Sequence, residues 1–268
     1  MGDPVGDEGE ISEIIWDYYL DTKNSLESII FYEVGKENLH YYLDIGLTIL
    51  KIGEEALVRL EDFSLKGDKK KTLRYTYNKL TKEEYEMKII KKEEIEPYLD
   101  ELETISGFWL ETKKVREKSF SLGNFTKEYM RNFDTAVITK DNEIYAFANL
   151  FYSGDKSEIS IDLMRYNPDK APNGIMDFLF MKIMEYGKEN GYKYFNLGMA
   201  PLSGIEDKNT GLINLWNKAG IFIYKHGNHF YNFEGLKKFK NKFDPEWKPK
   251  YVAFYGNPFK IVGNTVSL

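Results

Sequence analysis

The chain has 268 residues, 37 Lys plus Arg against 43 Asp plus Glu for a net charge of -6, and no cysteine. This excludes a disulfide scaffold, a cysteine-ligated metal and a thiol nucleophile, and 42% hydrophobic with 16% aromatic residues excludes wholesale disorder. No apolar run reaches membrane-spanning length, and the acidic, Gly-rich residues 1–10 lack the basic and apolar regions of a signal peptide, so an intracellular chain is expected.

In chain order, residues 12–22 read as a helix, 28–34 as an apolar strand, 36–44 as a short helix and 47–52 as a strand after the Gly46 turn. The basic stretch 66–82 reads as a helical connector, 85–90 as a strand and 93–105 as a helix. Three strands then follow at 134–139, 143–152 and 158–165, joined at Asp141-Asn142 and at Ser153-Gly154-Asp155, which implies antiparallel pairing. Next come a helix at 174–190 stopped by Gly191, a strand at 192–198, a helix at 212–219, a strand at 221–224 and a basic, aromatic helix at 230–243. The helix, strand, helix, strand order of the first 52 residues thus recurs. An antiparallel meander followed by helix, strand, helix and strand is the order of the GNAT acyltransferase fold. The expected class is therefore α/β (α+β), with tandem GNAT-like folds: 1–82 an N-terminally incomplete first copy with its basic connector, and 83–268 a complete second copy. One irregular α+β domain is the alternative.

Charge is unevenly spread. Residues 1–64 hold 15 acids and 4 bases, whereas 66–79 hold 6 bases and 1 acid, and 237–250 hold 6 bases and 2 acids. An acidic chain can thus present two cationic surfaces to polyanions, although solvated lysine faces would look the same in sequence.

Metal catalysis and serine or nucleotide hydrolysis lack their spacings: His40, His226 and His229 are the only histidines, and neither a Gly-x-Ser-x-Gly elbow nor a P-loop occurs. In the GNAT fold, coenzyme A is held by loop amides after the fourth strand. The corresponding Tyr166-Asn-Pro-Asp-Lys-Ala-Pro-Asn-Gly174 carries two prolines, which remove two of those donors and imply another acyl donor. On the strand before it, Asp162 alternates with Ser160 and Met164, and Arg165 shares the face of Ile161 and Leu163 unless a bulge reorients it. A structural ion pair is one reading of these charges; a carboxylate and a guanidinium suited to an ammonium and a phosphate is the other. Helical projection puts Lys240 on the apolar arc of Phe233, Leu236, Phe239 and Phe243, and leaves Lys237, Lys238 and Lys242 outside it. Lys240 is either a snorkelling residue or a cation kept for a phosphate or a developing negative charge. Asn196 and Gly198 end a strand where an α/β sheet places its ligands.

Long stretches of the chain resemble the catalytic domain of the phosphatidylglycerol lysyltransferases of the multiple peptide resistance factor family. They are Gly2-Asp-Pro-Val-Gly-Asp7, Lys51-Ile-Gly-Glu-Glu-Ala56, Ala146-Phe-Ala-Asn-Leu150, Ser160-Ile-Asp-Leu-Met-Arg165, Ala171-Pro-Asn-Gly-Ile-Met-Asp-Phe178, residues 195–204 and the tail 230–251. The resemblance implies paired GNAT domains that move lysine, or another amino acid, from aminoacyl-tRNA to phosphatidylglycerol at the cytoplasmic face of the membrane. Asp162, Arg165 and Lys240 fall at its catalytic positions, and Asn196, Gly198, Glu234, Lys238 and Lys242 are the substrate-binding candidates. Ester is exchanged for ester, so no cofactor and no metal are expected. The family also implies an anionic membrane surface as partner and, upstream, a membrane-embedded flippase region. A Fem-like peptidoglycan aminoacyltransferase and a noncatalytic tRNA- or membrane-binding module are the rivals.

Overall fold

Turn chemistry organises the middle of the chain. Asp141 and Asn142 both have positive φ, 51° and 62°, the conformation of a two-residue hairpin turn that matches strand twist. They join β4 (Thr135–Lys140) to β5 (Glu143–Tyr152), and a second turn leads antiparallel into β6 (Glu158–Tyr166). The computed structural model describes residues 2–7, 9–24, 29–113, 123–201, 203–204 and 233–255. The helix expected at 212–219 and the strand at 221–224 lie outside these residues.

The other elements are α1 (Ile11–Asn24), β1 (Ile30–Gly35), α2 (Leu39–Asp44), β2 (Thr48–Arg59), α3 (Lys71–Lys82), β3 (Glu86–Ile90), α4 (Leu99–Lys113), α5 (Lys127–Met130), α6 (Ile175–Glu189), β7 (Tyr194–Pro201), α7 (Phe233–Asn241) and β8 (Glu246–Phe254). The helix expected at 93–105 begins at Leu99 instead, after two short 3-10 turns. Pro97 accounts for the delay, because it has no N–H to give to the carbonyl four residues back and so interrupts an α-helix begun at 93. The strand expected at 47–52 continues to Arg59, and the tail 246–254, which carries Pro249, forms a further strand.

The architecture is mixed α/β, and the chain divides into two compact units. The first comprises Met1–Ala56, Met199–Lys237 and Trp247–Leu268. Its strands run β1-β8-β2, with β8 antiparallel to β1, and its core gathers Ile15, Val34, Tyr42, Leu47 and Ala253. Asp3 fastens the N-terminus there, accepting from the Gly35 amide and the Tyr42 hydroxyl.

The second unit comprises Leu57–Gly198 and Lys238–Glu246. From the last residues of β2 its strand order is β2-β7-β6-β5-β4-β3, antiparallel except for the parallel pair β6 and β7. On one face α4 covers a cluster that includes Leu102, Ile105, Val137, Phe147 and Leu163. α6 carries Phe178, Leu179, Met181, Ile183 and Met184 to the sheet, all fully buried. Phe180 of α6 meets Phe239 and Phe243 at 5.5 and 5.8 Å between ring centres, which docks the end of α7. Phe243→Ala is expected to cost about 3–5 kcal/mol, read as a fall in the urea midpoint; an unchanged midpoint would show that this ring cluster does not anchor α7.

Candidate active site

β6 and β7 pair in parallel only over Glu158↔Tyr194, Ile159↔Phe195 and Ser160↔Asn196, among the described residues. Both strands continue beyond that point, β6 to Tyr166 and β7 to Pro201. The two strands therefore part, with Asp162 and Arg165 on β6 and Asn196 and Gly198 on β7.

β6 contains a bulge. Ala148 pairs with Met164 and Leu150 with Ile161, so Asp162 and Leu163 together oppose the single residue Asn149. Strict alternation would put Ile159 and Leu163 on one face. Instead Ile159 lies against Gly187 of α6, whereas Leu163 sits in the cluster under α4. Asn149 stabilises the irregularity: its Oδ1 accepts from the amides of Leu163, at 2.7 Å, and Asp162, at 3.3 Å. The reorientation that a bulge would allow is thus present. Asp162 is brought to Tyr129, whose ring packs on the α4-side cluster, and Arg165 lies 4.3 Å from the ring centre of Trp109 in α4. Both charges belong to the same side of the sheet.

Each charged group is fixed by its own set of contacts. Asp162 accepts the Tyr129 hydroxyl at 2.6 Å, and the Gly123 amide reaches both carboxylate oxygens at 2.9 and 3.0 Å. A Cβ at residue 123 would lie 2.3 Å from Oδ2, so this approach needs glycine. Arg165 donates from Nη1 to its neighbour's carbonyl, Met164 O, at 2.9 Å, and stacks on Trp109 as a guanidinium does on an aromatic face.

Beside β7, Lys240 of α7 is 5% exposed and donates from Nζ to Gly198 O at 2.9 Å. Gly198 has φ 78°, a conformation that turns this carbonyl out of the ladder and disfavours a side chain. The Gly198 amide donates to Asn196 Oδ1 at 2.7 Å, and Asn196 Nδ2 donates to Glu158 Oε1 at 2.9 Å. Three residues singled out in sequence, Asn196, Gly198 and Lys240, are thus one hydrogen-bonded run. Glu158, which the sequence reading does not single out, completes it.

The remaining candidates are placed differently. Lys242 Nζ donates to both oxygens of the buried Asp177 at 2.9 Å each, tying α7 to the first turn of α6, where a carboxylate is also favoured by the helix dipole. Lys238 is exposed, and the side chain of Glu234 lies outside the described residues. The loop 166–174 closes on itself: the amides of Asp169 and Lys170 donate to Asn167 Oδ1, and that of Ala171 to Asn167 O. Cavities of about 460 and 720 Å³ occur elsewhere in the second unit, and neither is lined by Asp162, Arg165 or Lys240.

Within the first unit, Glu54 forms a cluster that the sequence did not single out. It accepts from Ser203 Oγ at 2.7 Å and Lys51 Nζ at 2.9 Å, with Lys237 at 3.7 Å, and Lys237 lies over Trp247. Burial works against its charge, yet the Ser203 and Lys51 hydrogen bonds and the two ammonium groups hold the carboxyl below the usual carboxylate range.

Residues 1–254 match the family model described as phosphatidylglycerol lysyltransferase, C-terminal. A phosphatidylglycerol lysyltransferase of Bacillus subtilis (strain 168) is 38% identical over 259 residues, 96% of this chain and 30% of that protein. One from Staphylococcus aureus (strain COL) is 31% identical over 255 residues, 95% of this chain and 30% of that protein. The chain thus spans about a third of the length of these curated relatives. Among solved structures, the C-terminal domain assigned to lysylphosphatidylglycerol synthetase in Agrobacterium fabrum superposes with a TM-score of 0.82 at 39% identity, covering 96% of this chain and 77% of that one. L-PGS from Bacillus licheniformis superposes with a TM-score of 0.81 at 35% identity, covering 97% and 79%. With the family model matched over nearly the whole length, the chain belongs to the phosphatidylglycerol lysyltransferase C-terminal family.

Proposed function

We propose that this chain carries the aminoacyl transfer site of a phosphatidylglycerol lysyltransferase: lysine passes from aminoacyl-tRNA to the glycerol hydroxyl of phosphatidylglycerol. The observation that supports this reading is the parting of β6 and β7, with Asp162 and Arg165 on β6 and, bonded to Gly198 of β7, Lys240 of α7. The hydroxyl oxygen attacks the aminoacyl carbonyl carbon, the bond from that carbon to the tRNA ribose oxygen breaks, and the hydroxyl proton ends on the departing ribose oxygen. Ester replaces ester, so the exchange is close to balanced without ATP.

What the site has to supply is orientation of two large anions, help with one proton and stabilisation of the tetrahedral oxyanion. Asp162 serves the lysine ammonium or the hydroxyl proton, Arg165 the lipid phosphate, and Lys240 the oxyanion or a tRNA phosphate. Asn196 and Gly198 form the wall that holds Lys240, Lys238 is an outward cation, and Lys242 acts through its pairing with Asp177. The inward-turned amides of the loop 166–174 support a donor other than coenzyme A. Paired GNAT-like domains, divided at 1–82 and 83–268, are part of the same proposal.

α3 buries Leu73, Thr76 and Leu80 and leaves Lys71 exposed, as are Lys66 and Lys69 just before it, a cationic stretch suited to tRNA or anionic headgroups. No helix among the described residues is long and apolar enough to cross a membrane, so lipid would be met at a surface. The product headgroup carries a net positive charge, which lowers the membrane's negative charge and weakens binding of cationic antimicrobial peptides.

The acceptor decides between this reading and the peptidoglycan rival. Given labelled lysyl-tRNA and a choice of phosphatidylglycerol vesicles or a peptidoglycan precursor with a free amine, the protein is expected to label the lipid. Label in the precursor alone would replace this function with the Fem-like one.

A further inference from the structure

Tyr129 is held with unusual care for a residue on a helix of four. Thr126 caps α5 by accepting the Tyr129 amide on Oγ1 at 3.0 Å, the next residue, Met130, is fully buried, and the ring sits 4.9 Å from that of Phe133. With backbone and ring both fixed, the hydroxyl has one direction to serve. It donates to Asp162 Oδ2 at 2.6 Å, within the range of short hydrogen bonds to a carboxylate. Burial first, and then the adjacent carboxylate, push the phenol's pKa up, so the group remains a neutral donor.

The backbone that carries the carboxylate is fixed as well. Asn149, opposite Asp162 across the ladder, is fully buried, and its Oδ1 accepts from the Asp162 and Leu163 amides.

We propose that Tyr129 is a positioning residue for aminoacyl transfer, acting through Asp162: its hydroxyl and the Gly123 amide lock the carboxylate in one orientation. The inference rests on the reading of Asp162 as part of the reaction site. Neither residue touches a reacting atom. Their effect is to hold the carboxylate within the small displacement that transfer tolerates.

The test is a double-mutant cycle on the purified protein, read as single-turnover transfer from labelled lysyl-tRNA so that slow variants still report. Tyr129→Phe keeps the ring and removes only the hydroxyl; it is expected to slow transfer by about ten- to a hundredfold. In an Asp162→Asn background the same change is expected to add less than about twofold, since the group it acts through has already gone. Phe133→Leu disturbs the packing beside Tyr129 without touching the hydroxyl and is expected to stay within about twofold of the native rate. Three results would overturn the inference: no loss from Tyr129→Phe in the native background, equal losses in both backgrounds, or a loss from Phe133→Leu as large as that from Tyr129→Phe. If Asp162→Asn transferred at the native rate, the reading of Asp162 and this inference would fall together. A slow Asp162→Asn beside a fully active Tyr129→Phe would remove only the inference.

Discussion

Asp162→Asn is expected to slow lysyl transfer to phosphatidylglycerol by about 10²–10⁴-fold while the protein stays folded. The substitution is nearly isosteric, so its main effect is to remove the negative charge. That charge is what either proposed role of Asp162 requires, since an amide neither pairs with an ammonium nor takes a proton. The geometry adds a second loss. Both carboxylate oxygens now accept hydrogen bonds, and an amide nitrogen in either place would face the Gly123 N–H or the Tyr129 hydroxyl, donor against donor. Incorporation of radiolabelled lysine into lipid, beside a melting curve for each protein, checks the prediction. Native-rate transfer by a folded variant would remove Asp162 from the mechanism.

Lys240→Met is expected to cost about 10²–10³-fold in transfer, the loss typical of removing one positioned donor from a site of developing negative charge. Methionine fills much of the space of the lysine stem, which is buried. What disappears is the ammonium and its hydrogen bond to Gly198 O. Lys242→Gln provides the contrast, because Lys242 is bound to the buried Asp177 and its role is to hold α7 on α6. That variant is expected to melt earlier and keep most of its transfer rate. The same assay and melting curves separate the two. Equal rates for Lys240→Met and the native protein would leave Lys240 a structural residue, and a normal melting curve with lost transfer for Lys242→Gln would move that lysine into the reaction.

The parts of the fold that sequence revealed are those written in local chemistry. β5 was placed residue for residue, since Asp141 and Asn142 accept the left-handed backbone that a tight hairpin demands. α6 was placed within one residue at each end by its apolar period and the Gly191 stop. β8 has no such local mark: no strand is assigned there from sequence, and the segment follows Pro245 and contains Pro249, residues that interrupt a strand pattern. Its pairing with β1 covers only residues 250–254, so neither proline has to donate to that strand. α5 is too short to show a helical period, and Tyr129 was therefore invisible as a partner of Asp162.

The site was legible in a similar, partial way. The apolar arc of α7 located Lys240 among aromatic rings, and strand-end position located Asn196 and Gly198. Alternation alone assigned Asp162 and Arg165 to opposite faces, and only the bulge opposite Asn149 brings them to one side. The pairing of Lys242 with Asp177 joins residues 65 positions apart, a distance over which no local pattern carries information.

The most direct measurement concerns the donor. Phosphatidylglycerol vesicles are incubated with the protein and preformed labelled lysyl-tRNA as the sole lysine source, without ATP or coenzyme A, and the lipids are separated by thin-layer chromatography. Labelled lysyl-phosphatidylglycerol, lost in Asp162→Asn and Lys240→Met, is the predicted result. No label from lysyl-tRNA, with label appearing instead from lysyl-coenzyme A or from free lysine and ATP, would contradict it.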